Sequence, residues 1–224
     1  TMRRAQAFGL RLPMKKPVLM AGVRLEHSEN FLIRLEANDG TVGWGEASSA
    51  PQHGGSTVQE MMQAWQALQA RVTGADAMAL GGLTQQLYDG VKIGKSALGA
   101  LDMALHDLVG RHLNVPAHVL LGGLRRKAVS PLWLLGTGQR DTDLAEAQAR
   151  YAEGYRFFKL KVGVRALEEE IEMALALRSA LGDELRLCAD ANMGMNADQA
   201  IAYAQGVLPA RLEFFEQPLA REDL

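Results

Sequence analysis

The sequence predicts an α/β protein. An N-terminal α+β domain covers residues 1–125, and the first half of a (β/α)8 TIM-type barrel, about four βα units, covers residues 126–224. Three observations predict it. In the first half, strand-like segments come first and helical segments after, the α+β order. From residue 131 onward the pattern is β-α-β-α-β-α-β, which implies a parallel sheet. The repeat is even: Lys161 and Asp190 stand 29 positions apart, and Asp190 and Glu216 stand 26 apart. One βα unit of an eightfold barrel takes roughly 30 residues.

The elements follow in order. FLIRLEA (31–37), the turn signal NDG and TVGWGEA (41–47) predict a hairpin. Met61, Met62, Trp65, Leu68 and Val72 recur at helical spacing and predict a helix over 58–72. Leu98, Leu101, Leu105 and Leu108 share one face of a second helix over 96–109, with Ser96 as N-cap and Gly110 just past its end. NVPAHVLLGGLRRK reads as a connector broken by Pro116 and Gly122-Gly123. Gly54-Gly55 and Gly81-Gly82 lack the setting of a phosphate loop and read as turns. In the second half the strands are PLWLLG (131–136), RFFKLKVG (156–163), LRLCAD (185–190) and RLEFFEQP (211–218). Helices are expected over 142–153, 167–181 and 197–207, the second ended by Gly182. Pro209 follows the third, and Pro218 stops the last strand.

Composition narrows the function. The chain has 224 residues, 48% hydrophobic and 22% charged, an ordinary globular balance. Net charge is −2 from 24 basic and 26 acidic residues, and Arg3-Arg4, Lys15-Lys16 and Arg125-Arg126-Lys127 are the longest basic groups. Nothing there argues for a nucleic-acid partner. One cysteine, Cys188, forbids an intrachain disulfide and fits a reducing, cytoplasmic setting. TMRRAQAFGL lacks the apolar centre of a signal peptide, and no apolar run approaches the roughly 20 residues that span a bilayer. No membrane partner is expected.

FFKLKVG carries the first chemical signal. Strand side chains alternate, so Lys159 and Lys161 project to one face. An edge strand with one wet face would explain them simply. Against that, the strand lies within a parallel series, whose strands are normally covered on both faces. The lysines also sit at its C-terminal end, where barrel active sites are built. The next two strands end in acid: Asp190 before Ala191-Asn192, and Glu216 before Gln217-Pro218. Alone, Asp190 would read as a capping or loop acid and Glu216 as a lysine's partner. Together, two carboxylates with an amide suit a hard, oxygen-seeking cation such as Mg²⁺. Desolvation and like charge would ease proton loss from the lysines. Such a set suits abstraction of a weakly acidic proton beside a carboxylate.

Other residues read more plainly. Cys188 is a small buried apolar residue. His106 is a structural histidine beside Asp102, and His27 and His53 are surface residues. Met193 and Met195 follow the acidic motif without proving a role.

The set KLKVG, DAN and FFEQP, in that order and spacing, resembles the mandelate racemase/muconate lactonizing branch of the enolase superfamily. NDGTVGWGEA resembles that family's capping-domain hairpin, SALGALDMALHDLVGR its long helix and NVPAHVLLGG its link into the barrel, so the likeness runs along nearly the whole chain. The resemblance makes residues 1–125 a capping domain. It also carries over a mechanism in which a Lys or His base works with Mg²⁺ and an ene-diolate. By that resemblance Asp190 and Glu216 are metal ligands for Mg²⁺, with Mn²⁺ as a substitute. Lys161 is the base for one face of the substrate. Lys159 lies near the substrate carboxylate and eases proton loss from Lys161, and Asn192 hydrogen-bonds the substrate or Lys161. Loops at about Leu12–Arg24 and Ala47–Ser56 would close over the site. The implied protein is an isomerase (racemase, epimerase or cycloisomerase) or dehydratase acting on a small carboxylate, as a homo-oligomer. GTVGWGEASSAP and KLKVG lean towards the muconate cycloisomerase and dipeptide epimerase subgroup, whose members place a lysine on each side of the substrate.

The chain departs from the family in ending at Leu224, after four strands, whereas a closed barrel has eight. The family's third acidic ligand and second acid/base residue have no position here. The expectation is a part of a longer protein that, alone, does not turn over. Two rival readings stand beside it: a barrel enzyme with a Schiff-base lysine, such as an aldolase, and a catalytically inactive truncated fragment.

Overall fold

The structure is a computed structural model that describes residues 1–20, 23–51, 54–88 and 94–223. The chain divides into two compact units, one of Thr1–Pro17 with Leu25–Lys127 and one of Val18–Arg24 with Ala128–Leu224.

The first unit opens on β1 (Met2–Met20), β2 (Val23–Ala37) and β3 (Val42–Ser48), a three-stranded sheet in that order. β1 runs through most of the 12–24 segment expected as a loop. β2 and β3 pair antiparallel, with Arg34 opposite Trp44. The NDG signal does what its chemistry demands. Gly40 takes φ +87°, and the Asp39 carboxylate accepts the Thr41 N–H at 2.9 Å. Phe31, Ile33 and Leu35 alternate along β2 and are fully buried. Four helices follow: α1 (Val58–Val72), α2 (Leu80–Tyr88), α3 (Ser96–Leu113) and the short α4 (Ala117–Leu120). α1 matches its expected span, and a Thr57/Glu60 capping box starts it.

β3 lies directly on α3. A Cβ on Gly45 would sit 1.9 Å from the Ala100 carbonyl oxygen, and one on Gly43 would sit 2.4 Å from that of Ala104. The glycines of GWG and the alanines of α3 are therefore one fit, with Trp44 left facing out.

Three expectations need correction here. Gly81-Gly82 lie inside α2, not in a turn. No side chain would meet a Cβ at either position, so the helix tolerates them at a propensity cost only. α3 continues through Gly110 to Leu113 and stops at Asn114, which adopts φ +53° and donates its N–H to the Gly110 and Arg111 carbonyls. Asparagine accepts that left-handed conformation better than other side-chain-bearing residues. Ser96 is the first helical residue of α3, and Lys95 precedes it without a side-chain cap.

The second unit is a parallel four-stranded sheet in chain order: β4 (Leu132–Leu135), β5 (Phe157–Lys161), β6 (Arg186–Asp190) and β7 (Phe215–Glu216). Helices α5 (Arg140–Ala152), α6 (Leu167–Leu181) and α7 (Ala197–Gly206) connect the strands. Phe158, Leu160, Leu187 and Ala189 from the sheet pack with Ala147, Met173, Leu177 and Tyr203 from the helices. α6 ends at Gly182, as its sequence requires. β7 is shorter than expected. Arg211 bends the chain at φ +52°, yet Glu213 N–H already donates to the Leu187 carbonyl, so pairing with β6 begins before the strand proper.

The fold class is therefore α/β, an antiparallel sheet with helices followed by a parallel sheet with intervening helices. Among the described residues, no helix is long and apolar enough to cross a membrane.

Candidate active site

The site starts from alternation in FFKLK. Phe158 and Leu160 enter the helix-covered core, so Lys159 and Lys161 must take the opposite face. Parallel register then lines up the neighbours: Lys161 pairs with Asp190 on β6, and Asp190 with Glu216 on β7. One row across three strand ends holds a lysine and two acids.

The side chains close on one another. Both ammoniums reach the same oxygen, Asp190 Oδ2, Lys159 at 2.8 Å and Lys161 at 2.6 Å. Lys159 also reaches Glu216 Oε2 at 2.7 Å. Lys161 donates to Asn192 Oδ1 as well. Asn192 closes the network: its N–H donates to Asp190 Oδ1 at 3.0 Å and its amide to Oδ2 at 3.1 Å. Asp190 is 2% exposed, and the lysine side chains are 18% and 16% exposed. Glu216 stands half out in solvent at 47%. All five residues singled out from the sequence meet in this network.

Electrostatics follow from these contacts. Burial pushes the Asp190 carboxyl up, but hydrogen bonds from Lys159, Lys161 and the Asn192 backbone outweigh it and hold it below the usual carboxylate range. Burial pulls Lys159 down, but Asp190 and Glu216 outweigh that and raise it above the ordinary lysine value. Eased proton loss by desolvation is thus overridden at Lys159 by its two acids. Burial pushes the Cys188 thiol up to about 11 despite the opposing pull of Lys159.

The strand exits are shaped by backbone. Asn192 and Met193 take φ +45° and +67°, Gln217 takes φ +41°, and Met193 N–H donates to the Gln217 carbonyl at 2.7 Å. Left-handed backbone on such residues concentrates at functional sites. A Cβ on Gly194 would lie 2.7 Å from the Gly163 carbonyl oxygen, so the β5 and β6 exits are pressed together at these glycines.

Sequence reasoning missed the groups that clamp these exits. Glu170, in the first turn of α6 and 1% exposed, accepts the backbone N–H groups of Gly163, Val164 and Arg165 at 2.8–3.0 Å. Asp143, in α5, accepts the Thr137 N–H at 3.0 Å and its hydroxyl at 2.7 Å. The only signal was an acid in a helix's opening turn, which reads equally as a dipole partner.

A divalent cation would need oxygen donors that converge. Asp190 and Glu216 do, since one ammonium already bridges an oxygen of each. In kind and direction these two residues fit a hard cation. Among the described residues, no group of three or more His, Cys, Asp or Glu gathers around one point, and Asp190 and Glu216 are the two acidic donors they bring together here.

Elsewhere, His106 Nδ1 lies 2.9 Å from the Asp102 carbonyl oxygen. With Asp107, Arg111 and Asn114, His106 lines a separate hollow of about 400 Å³ at the end of α3. Met193 is exposed and Met195 buried. His53 and parts of both expected closing loops (residues 21, 22 and 52) lie outside the described residues.

Comparison with known proteins matches both halves of the chain to family models. Residues 4–122 match the mandelate racemase/muconate lactonizing enzyme N-terminal domain, and 143–224 match the enolase C-terminal domain-like family. The chain is 29% identical over 220 residues to a D-galactarolactone cycloisomerase of Agrobacterium fabrum, covering 93% of this chain and 56% of that protein. It is 32% identical over 233 residues to an L-Ala-D/L-amino acid epimerase of Populus trichocarpa, covering 99% and 53%. A solved muconate lactonizing enzyme from Pseudomonas fluorescens, complexed with muconolactone, superposes with a TM-score of 0.92 at 25% identity, covering 99% of this chain and 61% of that one. The chain thus spans little more than half the length of the relatives it matches.

Proposed function

The chain belongs to the mandelate racemase/muconate lactonizing enzyme family, and from that premise we propose that the full-length protein is an isomerase that removes the proton α to a carboxylate. Its product would be an epimerised substrate or a cycloisomer, the activities for which the relatives are named, or a racemised substrate. In this reading residues 1–125 form the capping domain and 126–224 the opening strands of a (β/α)8 barrel. Dehydration stays within the proposal as a third outcome of the same first step.

One observation carries the reading: Lys161, Asp190 and Glu216 share one register row, tied together through the side chains of the two lysines. Lys161, in its neutral amine form, takes the α-proton at its Nζ and becomes the ammonium. Asn192 orients that nitrogen through its amide oxygen. Lys159 offers positive charge to the substrate's carboxylate. Asp190 and Glu216 would hold Mg²⁺, or Mn²⁺ in its place, and the bound ion supplies positive charge to the carboxylate oxygens as they gain it. The clamps at Glu170 and Asp143 keep the β5 and β4 exits fixed, so Lys161 needs little reorganisation.

The Schiff-base alternative finds less support. It needs a lysine free of acids, and both lysines rest on Asp190. A small-molecule carboxylate as the partner, homo-oligomeric assembly and a cytoplasmic setting complete the proposal; the single, buried Cys188 supports the last.

The test is exchange in D2O with Mg²⁺, followed by proton NMR, over dipeptides, N-acyl amino acids and muconate-type acids. Deuterium should enter the α-position of at least one class. Incorporation that survives EDTA and Lys161→Ala would overturn the reading.

A further inference from the structure

We propose that Lys159 is an internal competitor for the divalent cation: its ammonium occupies the carboxylate oxygens that the ion requires and must leave them when the ion binds. The inference rests on the metal-site reading above and goes beyond it, because it gives the two lysines different jobs.

The geometry separates them. Lys159 Nζ bridges Asp190 Oδ2 at 2.8 Å and Glu216 Oε2 at 2.7 Å. Lys161 Nζ touches Asp190 and the neutral amide of Asn192. Only Lys159 therefore draws both acids to one positive centre. A dication and an ammonium cannot share those oxygens at contact distance, because like charges a few Å apart repel by several kcal/mol even when partly screened. The two acids also differ. Asp190 is held by two lysines and two Asn192 donors within a buried strand end, whereas Glu216 is half exposed. Glu216 and Lys159 are thus the movable pair, and Asp190 is the fixed post. Displacement leaves Lys159 charged and without its acids, at the place where a carboxylate ligand enters. Ion first, carboxylate second is the order this arrangement imposes.

Binding of Mn²⁺ to the full chain, read by electron paramagnetic resonance as loss of the free-ion signal, tests this without any turnover. Lys159→Met should bind Mn²⁺ on the order of tenfold more tightly than wild type, since an attached competing charge is gone. Lys161→Met, which removes the same charge from Asp190 alone, should tighten binding clearly less. Lys159→Gln provides a second variant, and circular dichroism verifies that each is folded. Equal tightening by Lys159→Met and Lys161→Met would mean only general charge repulsion and would overturn the proposal, as would unchanged or weaker binding in both Lys159 variants. Absence of any Mn²⁺ binding that Asp190→Asn removes, in wild type and variants alike, would instead sink the metal-site reading itself.

Discussion

Lys161 and Asp190 face each other in register on neighbouring parallel strands, with Nζ 2.6 Å from Oδ2. A cation on one strand and an acid at the same level of the next meet without any loop rearrangement. This contact sets the position of the proposed base.

Lys161→Ala in the full-length protein is expected to cut α-proton exchange on one stereochemical face by about a hundredfold or more, the usual contribution of a positioned base. Mn²⁺ binding should survive, because Asp190 and Glu216 are untouched. Exchange at that face continuing at the wild-type rate would assign the base elsewhere.

Glu170→Ala removes the acceptor of three backbone N–H groups. Hydrogen bonds to a buried charged group are worth about 1.5–3 kcal/mol each, so a loss of at least about 2 kcal/mol is expected in urea unfolding. Amide hydrogen exchange should speed up at Gly163, Val164 and Arg165. Protection unchanged at these amides would mean the clamp is not what orders the loop.

Gly45→Ala places a methyl group against the Ala100 carbonyl, which is helix backbone and cannot swing aside. About 3 kcal/mol of destabilisation is expected. Gly40→Ala, where nothing lies within 4 Å but φ is +87°, tests backbone strain by itself. A Gly45→Ala protein as stable as wild type would contradict the packing of β3 on α3.

Asp39 provides a pH test. The Thr41 N–H, the Thr41 side chain and His112 lower its carboxyl from 3.8 to about 2. A depressed acid stabilises the fold above its unfolded value and loses that contribution as pH falls through the folded value. The stability gap between wild type and Asp39→Asn should therefore be complete above pH 3.8 and close towards pH 2. A gap that stays constant over that range would rule out the Asp39 contacts as its source.

Cys188 is fully buried, and its thiol is pushed up to about 11. At about pH 8 the native protein should be inert to Ellman's reagent and react stoichiometrically once unfolded, since only the thiolate attacks. Rapid reaction of the folded protein would show that β6 opens readily.

The acids and lysines were legible because parallel strands repeat one level of the sheet at each turn of the chain. KLK, AD and FE at strand ends amount to one row once the register is known. The hairpin was legible for a similarly local reason, the left-handed glycine of NDG. Long-range balances were not. Gly81-Gly82 sit in a helix because their surroundings ask nothing of them, and a sequence cannot display open space. Glu170 looks like any acid opening a helix until the loop it holds is seen above it. Lys159 stands above the ordinary lysine value because two carboxylates outweigh its burial, a balance that shows only once the side chains are in place.

Asp143 and Glu170 do the same work one strand apart, each fastening the segment just before its own helix. Two successive repeats thus carry a private clasp each. Mutation can then rewrite one rim segment while its neighbours keep their shape, and new specificities become reachable one segment at a time.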